Sequence, residues 1–477
     1  MMPRAGYRLP LFLCAAALLA AAPLCADTIV LKNGRRILAN GVVEENGKIS
    51  YETSAGRLSL PASIVDRVEH GATEPLGTLG IAPPPVAAEG AAPAADVTLA
   101  AVHDGSIDRE YLARVDAEAW GSSPNAAERA AMAHHAAAQF ELGRGDLERA
   151  LAEERTALTY SPAQPGLLLN VAYLYLRRSE YRQALDYVQR ARRVAPDSPE
   201  VAKLAGWAHY RMNKLNEAVA EWKRSLALRP DAEVQAALEK ALRDKQEEEN
   251  YKENETSHFS LRYSGAAEPA LARDVLRTLE THFSAIASKL DFTPPEPIGV
   301  VLYTQQAFAD ITRAPGWAGA LNDGRIRLPV QGLTSVTPDL SRQLKHELTH
   351  SFLQQKTHGH CPVWLQEGLA QWMEGERSGG FAPELTRVYA EQRFAPLSDL
   401  EGSWMRLQGD SVHYAYAWSL ANVEYIEQSA GLGDIARILD LIAAGSSTEA
   451  ALRDVLRSNY AEVMRSTNEY LRKTYLH

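Results

Sequence analysis

The chain has 477 residues, 46% of them hydrophobic and 23% charged, which is enough for two or three domains with a sizeable core. Its formal charge is −10 and it carries no long basic run, which argues against nucleic acid as a partner. Two of its three cysteines, Cys14 and Cys25, fall within the first 26 residues, so only Cys361 remains beyond them and no internal disulfide is expected.

Residues 1–26 read as a secretory signal: Arg4 and Arg8 give a positive start, Leu11–Ala22 a short apolar run, and Cys25-Ala26 a small-residue end. Export to a periplasm or the extracellular space is therefore expected, with no stable membrane span after cleavage; an uncleaved N-terminal anchor is the alternative. Losing Arg4 and Arg8 takes the formal charge from −10 to −12. Residues 27–70 suggest a small β module. Short runs such as Thr28–Leu31, Ile49–Tyr51 and Arg57–Leu60 are separated by Asn33-Gly34, Asn46-Gly47 and Ala55-Gly56, and Asn-Gly is a strong hairpin signal. A tiny barrel-like sheet is expected. Residues 71–106, rich in Ala, Pro and Gly and without apolar periodicity, read as a flexible linker.

Residues 107–250 are helical and repetitive. Ala150, Ala184 and Ala218 recur every 34 residues, as do Pro162, Pro196 and Pro230. A period of 34 with a small residue at a helix crossing and a closing proline resembles the tetratricopeptide repeat. Gly206, Trp222 and Pro230 fit the third repeat, whereas Glu154 stands in the first where an aromatic is usual. Residues 232–249 would form a polar capping helix. The resemblance implies a concave groove that takes a protein partner. Because repeat contacts run mostly between neighbours, residues 251–477 are expected to fold without the array.

In residues 251–477, His258–Tyr263 alternates like a strand, Pro269–Leu290 has helical periodicity, and Ile298–Tyr303 is a continuous apolar strand. Asn322-Asp323-Gly324 signals a turn. Thr337-Pro338-Asp339 reads as a cap, first helical position and acidic first turn. His346 and His350 then lie four apart on one helical face, a spacing at which two imidazoles can hold one zinc ion, with Glu347 beside them to take a proton from a metal-bound water. Glu367 follows 17 residues after His350, in a second helix opened by Pro362 and closed by Gly375. Two histidines and a glutamate leave one coordination position open, as catalytic rather than structural zinc requires.

His346–His350 followed by Trp364-Leu365-Gln366-Glu367-Gly368-Leu369-Ala370 is similar to the gluzincin metallopeptidases, specifically the peptidase MA-like domains. The resemblance implies zinc held by His346, His350 and Glu367, with Glu347 as general base. It also implies that a strand before the zinc helix, here Arg325–Val330, edges the cleft and pairs with extended substrate, a plain structural hairpin being the alternative. A tyrosine near the zinc would support the oxyanion, and Tyr416 fits better than Tyr414. Thermolysin-like members carry an Asp four residues after the third ligand, where this chain has Gln371. His358, His360 and His413 are further candidate ligands or proton donors, and Cys361 lies next to Pro362 at the expected mouth of the site.

The chain is therefore expected to be α+β and mostly helical: a small β module, a tetratricopeptide array and a gluzincin-like zinc domain. The expected activity is zinc-dependent hydrolysis of a peptide or protein substrate. One alternative is a non-catalytic envelope scaffold on a zinc-binding peptidase fold; another is a zinc hydrolase acting on a non-protein envelope component.

Overall fold

The structure is a computed structural model that describes residues 27–31, 36–45, 47–53, 56–69, 95–120, 125–264, 269–312, 320–330, 333–402, 404 and 410–476. The expected signal at 1–26, the Asn33-Gly34 turn and most of the expected linker, 71–94, lie outside the described residues. No described helix is long and apolar enough to cross a membrane.

Five antiparallel strands, β1 (Asp27–Leu31), β2 (Arg36–Glu45), β3 (Lys48–Thr53), β4 (Gly56–Pro61) and β5 (Val65–Glu69), form a sheet in the order β4-β3-β2-β1-β5. The first half of β2 pairs with β1 and the second half with β3, across a break in register between Asn40 and Val43. A 3-10 turn at Ala62–Ile64 returns β5 to β1.

The linker reading to residue 106 needs correction. Ala95–Ala101 is a helix, α1, followed by the two-residue strands β6 (Val102–His103) and β7 (Ser106–Ile107). Alanine is the best helix former, and buried Ala101 packs with Ala130, Ala133 and Ala137 further along the chain. Asp104 and Gly105 both have positive φ, the conformation a tight hairpin needs.

The array follows as α2 (Arg109–Ala119), α3 (Ala126–Gly143), α4 (Leu147–Tyr160), α5 (Pro165–Arg177), α6 (Tyr181–Val194), α7 (Pro199–Arg211), α8 (Leu215–Leu228) and α9 (Ala232–Glu247). Ala150, Ala184 and Ala218 are fully buried. A Cβ on Gly206 would lie 2.3 Å from Nε1 of Trp222, so a glycine is required where α7 meets α8. Glu154 is buried and paired with His135 Nδ1 at 2.9 Å, and Asn170 Nδ2 donates to it at 3.0 Å. A polar triad thus fills the place of the usual aromatic.

The C-terminal half holds β8 (Lys252–Glu255), β9 (Phe259–Tyr263), α10 (Pro269–Leu290), β10 (Ile298–Tyr303), α11 (Gln305–Thr312), β11 (Leu321–Asn322) and β12 (Arg325–Pro329). Then come α12 (Pro338–Lys356), α13 (Val363–Glu374), α14 (Ala382–Ala390), α15 (Asp410–Ala430), α16 (Leu432–Ala443), α17 (Thr448–Leu456) and α18 (Tyr460–Tyr475). The sheet runs β11-β12-β10-β9-β8, with parallel pairs at the centre and antiparallel strands at both flanks. Ile326 and Leu328 of β12 join one core with Leu344, Leu348 and Phe352 of α12 and Trp364 and Leu369 of α13.

The array packs on the C-terminal half through buried ion pairs and hydrogen bonds. Arg325 and Arg327, on the opposite face of β12, are fully buried against α9. Arg327 Nη2 donates to Asp244 at 2.8 Å and Arg325 Nη2 to Glu248 at 2.6 Å, while Tyr303 donates to Glu248 at 2.7 Å and Tyr210 to Asp244 at 3.0 Å. Helix α9 is thus no polar cap open to water. The turns within each helix pair also seat on the C-terminal half. Gly445 approaches so closely that an added Cβ would meet Arg144 O at 2.6 Å. Arg177 donates to His360 Nε2 at 3.1 Å, the Arg182 amide to Glu296 at 3.1 Å, and Asn213 to Ser260 at 3.0 Å.

Candidate metal centre

Helix α12 begins as the sequence indicates, with Thr337 Oγ1 accepting from the Leu340 amide at 3.1 Å and Pro338 in the first turn. Helix α13 crosses α15 at Gly368, where a Cβ would lie 2.4 Å from Ser419 O. That close crossing brings Glu367 beneath α12. His346 Nε2 and His350 Nε2 each lie 3.7 Å from Glu367 Oε2, and the three donor atoms fall within 4.8 Å of one another. Ligands about 2.1 Å from a tetrahedral zinc ion stand roughly 3.4 Å apart, so the two distances to Glu367 fit with a contraction of a few tenths of an ångström, while the widest separation in the set must close by up to about 1.4 Å. His413, by contrast, is exposed and stacks edge-on with Phe381, 5.4 Å between centroids. His358 and His360 lie beside Arg177 of α5, and the buried Cys361 thiol is pushed up by its burial; none of these joins the cluster.

A second group holds one candidate ligand in place. His346 Nδ1 lies 3.2 Å from Glu374 Oε1, two turns beyond Glu367 on α13. This is the orienting role that a carboxylate serves beside a metal-bound imidazole. Gln371 instead donates from Nε2 to Glu367 O at 3.0 Å and to Tyr416 O at 3.1 Å, tying α13 to α15. His350 Nδ1 is buried with no hydrogen-bond partner among the described residues.

The buried groups of the cluster act on one another's charge. Burial pushes the Glu347 carboxyl up to about 7; His346 opposes this, and the charges of Glu367 and Glu374 add to it. Burial opposes charge on His346, but Glu367 and Glu374 outweigh it and hold its pKa well above the ordinary value. Burial lowers His350 to about 4, against the pull of Glu367. Burial also works against ionised Glu367, yet the two imidazoles keep it below the usual carboxylate range.

Tyr416 is half-buried, its ring edge-on to Trp404 at 5.0 Å between centroids. Burial, then the charges of Glu367 and Glu347, push its hydroxyl pKa up, so it sits within the field of both carboxylates. The Tyr414 hydroxyl donates to Glu384 of α14 at 2.8 Å. The expected edge strand also needs correction. β12 lies inside the sheet, because antiparallel pairing of Leu321 with Arg327 places β11 on its outer flank. From β11, Asn322 Nδ2 donates to Glu347 O at 2.8 Å and to Ser351 Oγ at 2.7 Å.

Asn322, Ser351 and Glu374 are the members of this arrangement that sequence reasoning misses. Glu374 carries one usable signal: it lies seven residues beyond Glu367, on the same face of one helix. Asn322 reads only as a turn former.

A tetratricopeptide repeat family model matches residues 141–207, and no peptidase family model matches the chain. The match begins at the end of α3 and runs through α4, α5 and α6 into α7, and it supports paired helices of tetratricopeptide repeats there, a fold used for protein–protein interaction. No curated protein matches the chain.

Proposed function

We propose that the protein is an exported, zinc-dependent metallopeptidase of the gluzincin kind, with His346, His350 and Glu367 as ligands and Glu347 as general base. The observation that supports this is the convergence of three donor atoms within 4.8 Å beside a buried glutamate. When bound, zinc supplies polarisation of the scissile carbonyl and a water acidic enough to attack at neutral pH. Glu347 would accept a proton from the attacking water and pass it to the leaving amine. Tyr416 donates a hydrogen bond to the carbonyl oxygen as it gains charge. Glu374 keeps the His346 ring turned so that Nε2 faces Glu367. The repeats recruit the peptide or protein substrate, or a protein partner.

The test is cleavage of a denatured protein mixture by the full chain, with and without chelator, alongside Glu347→Gln. That variant keeps the ligands and removes the base. Zinc content is expected to remain near one per chain while cleavage falls about 100- to 10,000-fold. If wild type cleaves no peptide under any metal condition, a non-catalytic scaffold replaces the enzyme. Integration of the array into the C-terminal half is the observation that favours that second reading.

A further inference from the structure

The turn at 322–325 is held from both sides. Asn322 Oδ1 accepts from the Gly324 amide at 3.1 Å, closing the turn locally. On one side, Asp323 is buried and ion-paired with Lys240 of α9, while Arg327 Nε donates to it at 3.0 Å. Gly324 has φ +97°, and a Cβ there would collide with the Arg211 guanidinium at the end of α7. On the other side, Asn322 Nδ2 reaches Glu347 O and Ser351 Oγ on α12. Four consecutive residues therefore span the gap between the last helices of the array and the helix bearing the proposed base.

We infer that the array helps build the site as well as recruiting to it: Lys240 and Asp323 fix the turn, and Asn322 is a positioning residue that sets the depth of α12 at Glu347. This rests on the proposed peptidase reading for its catalytic consequence, and on geometry alone for its structural one. Asn322 is not among the candidate metal ligands. It bonds a backbone carbonyl that already serves the helix, so its loss leaves the first coordination shell unchanged. A displacement of Glu347 by about 1 Å is enough to lower turnover roughly a hundredfold, because reacting groups must meet within a narrow range of distance and angle.

The experiment uses full-length Asn322→Ala, Lys240→Met and Lys240→Arg. Asn322→Ala cuts the link at the site end and keeps both partners of every interdomain ion pair in the chain, so it remains informative if Lys240→Met does not fold. Amide hydrogen exchange across α12 near Glu347 is measured with and without zinc, together with zinc affinity, kcat and KM. In Asn322→Ala and Lys240→Met, exchange near Glu347 is expected to quicken about tenfold while α10 and β9 stay at wild-type rates. In both, kcat is expected to fall roughly ten- to a hundredfold at near-constant KM and zinc affinity. Lys240→Arg should restore both readouts. Wild-type exchange and kcat in both broken-link variants would overturn the inference, as would loosening spread equally over α10 and β9. If wild type cleaves no peptide, the proposed function fails separately and the exchange pattern alone decides the inference.

Discussion

Glu374 separates a well-held imidazole from a loosely held one. His346 is anchored through Nδ1, whereas His350 Nδ1 has no partner among the described residues. Removing an orienting carboxylate typically weakens metal binding about 10- to 100-fold. Glu374→Ala is therefore expected to raise the zinc Kd by that factor, measured by competition with a chelating dye, with the fold retained by circular dichroism. A loss confined to turnover, with zinc affinity intact, would show that Glu374 does not hold the ligand. The two tyrosines make a paired comparison. Tyr416→Phe is expected to lower turnover by roughly one to three orders of magnitude, as loss of an oxyanion donor does. Tyr414→Phe, whose hydroxyl is engaged with Glu384, should leave turnover unchanged.

Among the elements, α2 is fastened to the repeats by a buried imidazole between two carboxylates. His134 of α3 lies 2.7 Å from Glu153 of α4 and 2.9 Å from Asp116 of α2, with Tyr160 donating to Asp116 at 2.8 Å and Arg109 paired to Glu153. Burial works against the charged ring, but Glu153 and Asp116 raise its pKa overall. A raised histidine contributes stability that is complete below its unfolded value of about 6.5 and fades as the pH climbs through the higher native value. The difference in thermal stability between wild type and His134→Gln should therefore be largest near pH 6 and shrink toward pH 9; a difference that grows with pH would reverse the assignment. How far such elements were legible depends on how local their cause is. The period of 34, the cap at Thr337 and the spacing of His346, His350 and Glu367 are local signals, and helices with the expected boundaries carry them. Helix α1 was hidden because alanine serves linkers and helices alike, and only packing on α3 decides between them. The flanking position of β11 depends on pairing that a two-residue strand cannot announce.

On the scale of the whole molecule, the long-range ion pairs were the least legible feature. Asp244 and Arg327 stand 83 residues apart, one in the expected polar cap and the other in the expected cleft-edging strand. Stripping one partner from a buried pair costs about 3–5 kcal/mol, a large share of a total stability of roughly 5–15 kcal/mol. A fragment of residues 251–477 leaves Arg325 without either carboxylate and Arg327 with Asp323 alone. It is expected to be insoluble or to lack cooperative unfolding in denaturant, whereas a chain beginning at residue 95 should retain both. A soluble, cooperatively folded 251–477 fragment would make the network dispensable. The seating of successive repeat turns has a consequence for how this protein can change over evolutionary time. Helical arrays commonly gain or lose whole units, because each unit needs only its neighbours. Here the turns near Gly145, Arg182 and Asn213 meet Gly445, Glu296 and Ser260 in order, like teeth along a rack. Inserting or deleting one unit would shift every later tooth by a full step, so the array's length is locked to the half it rests on.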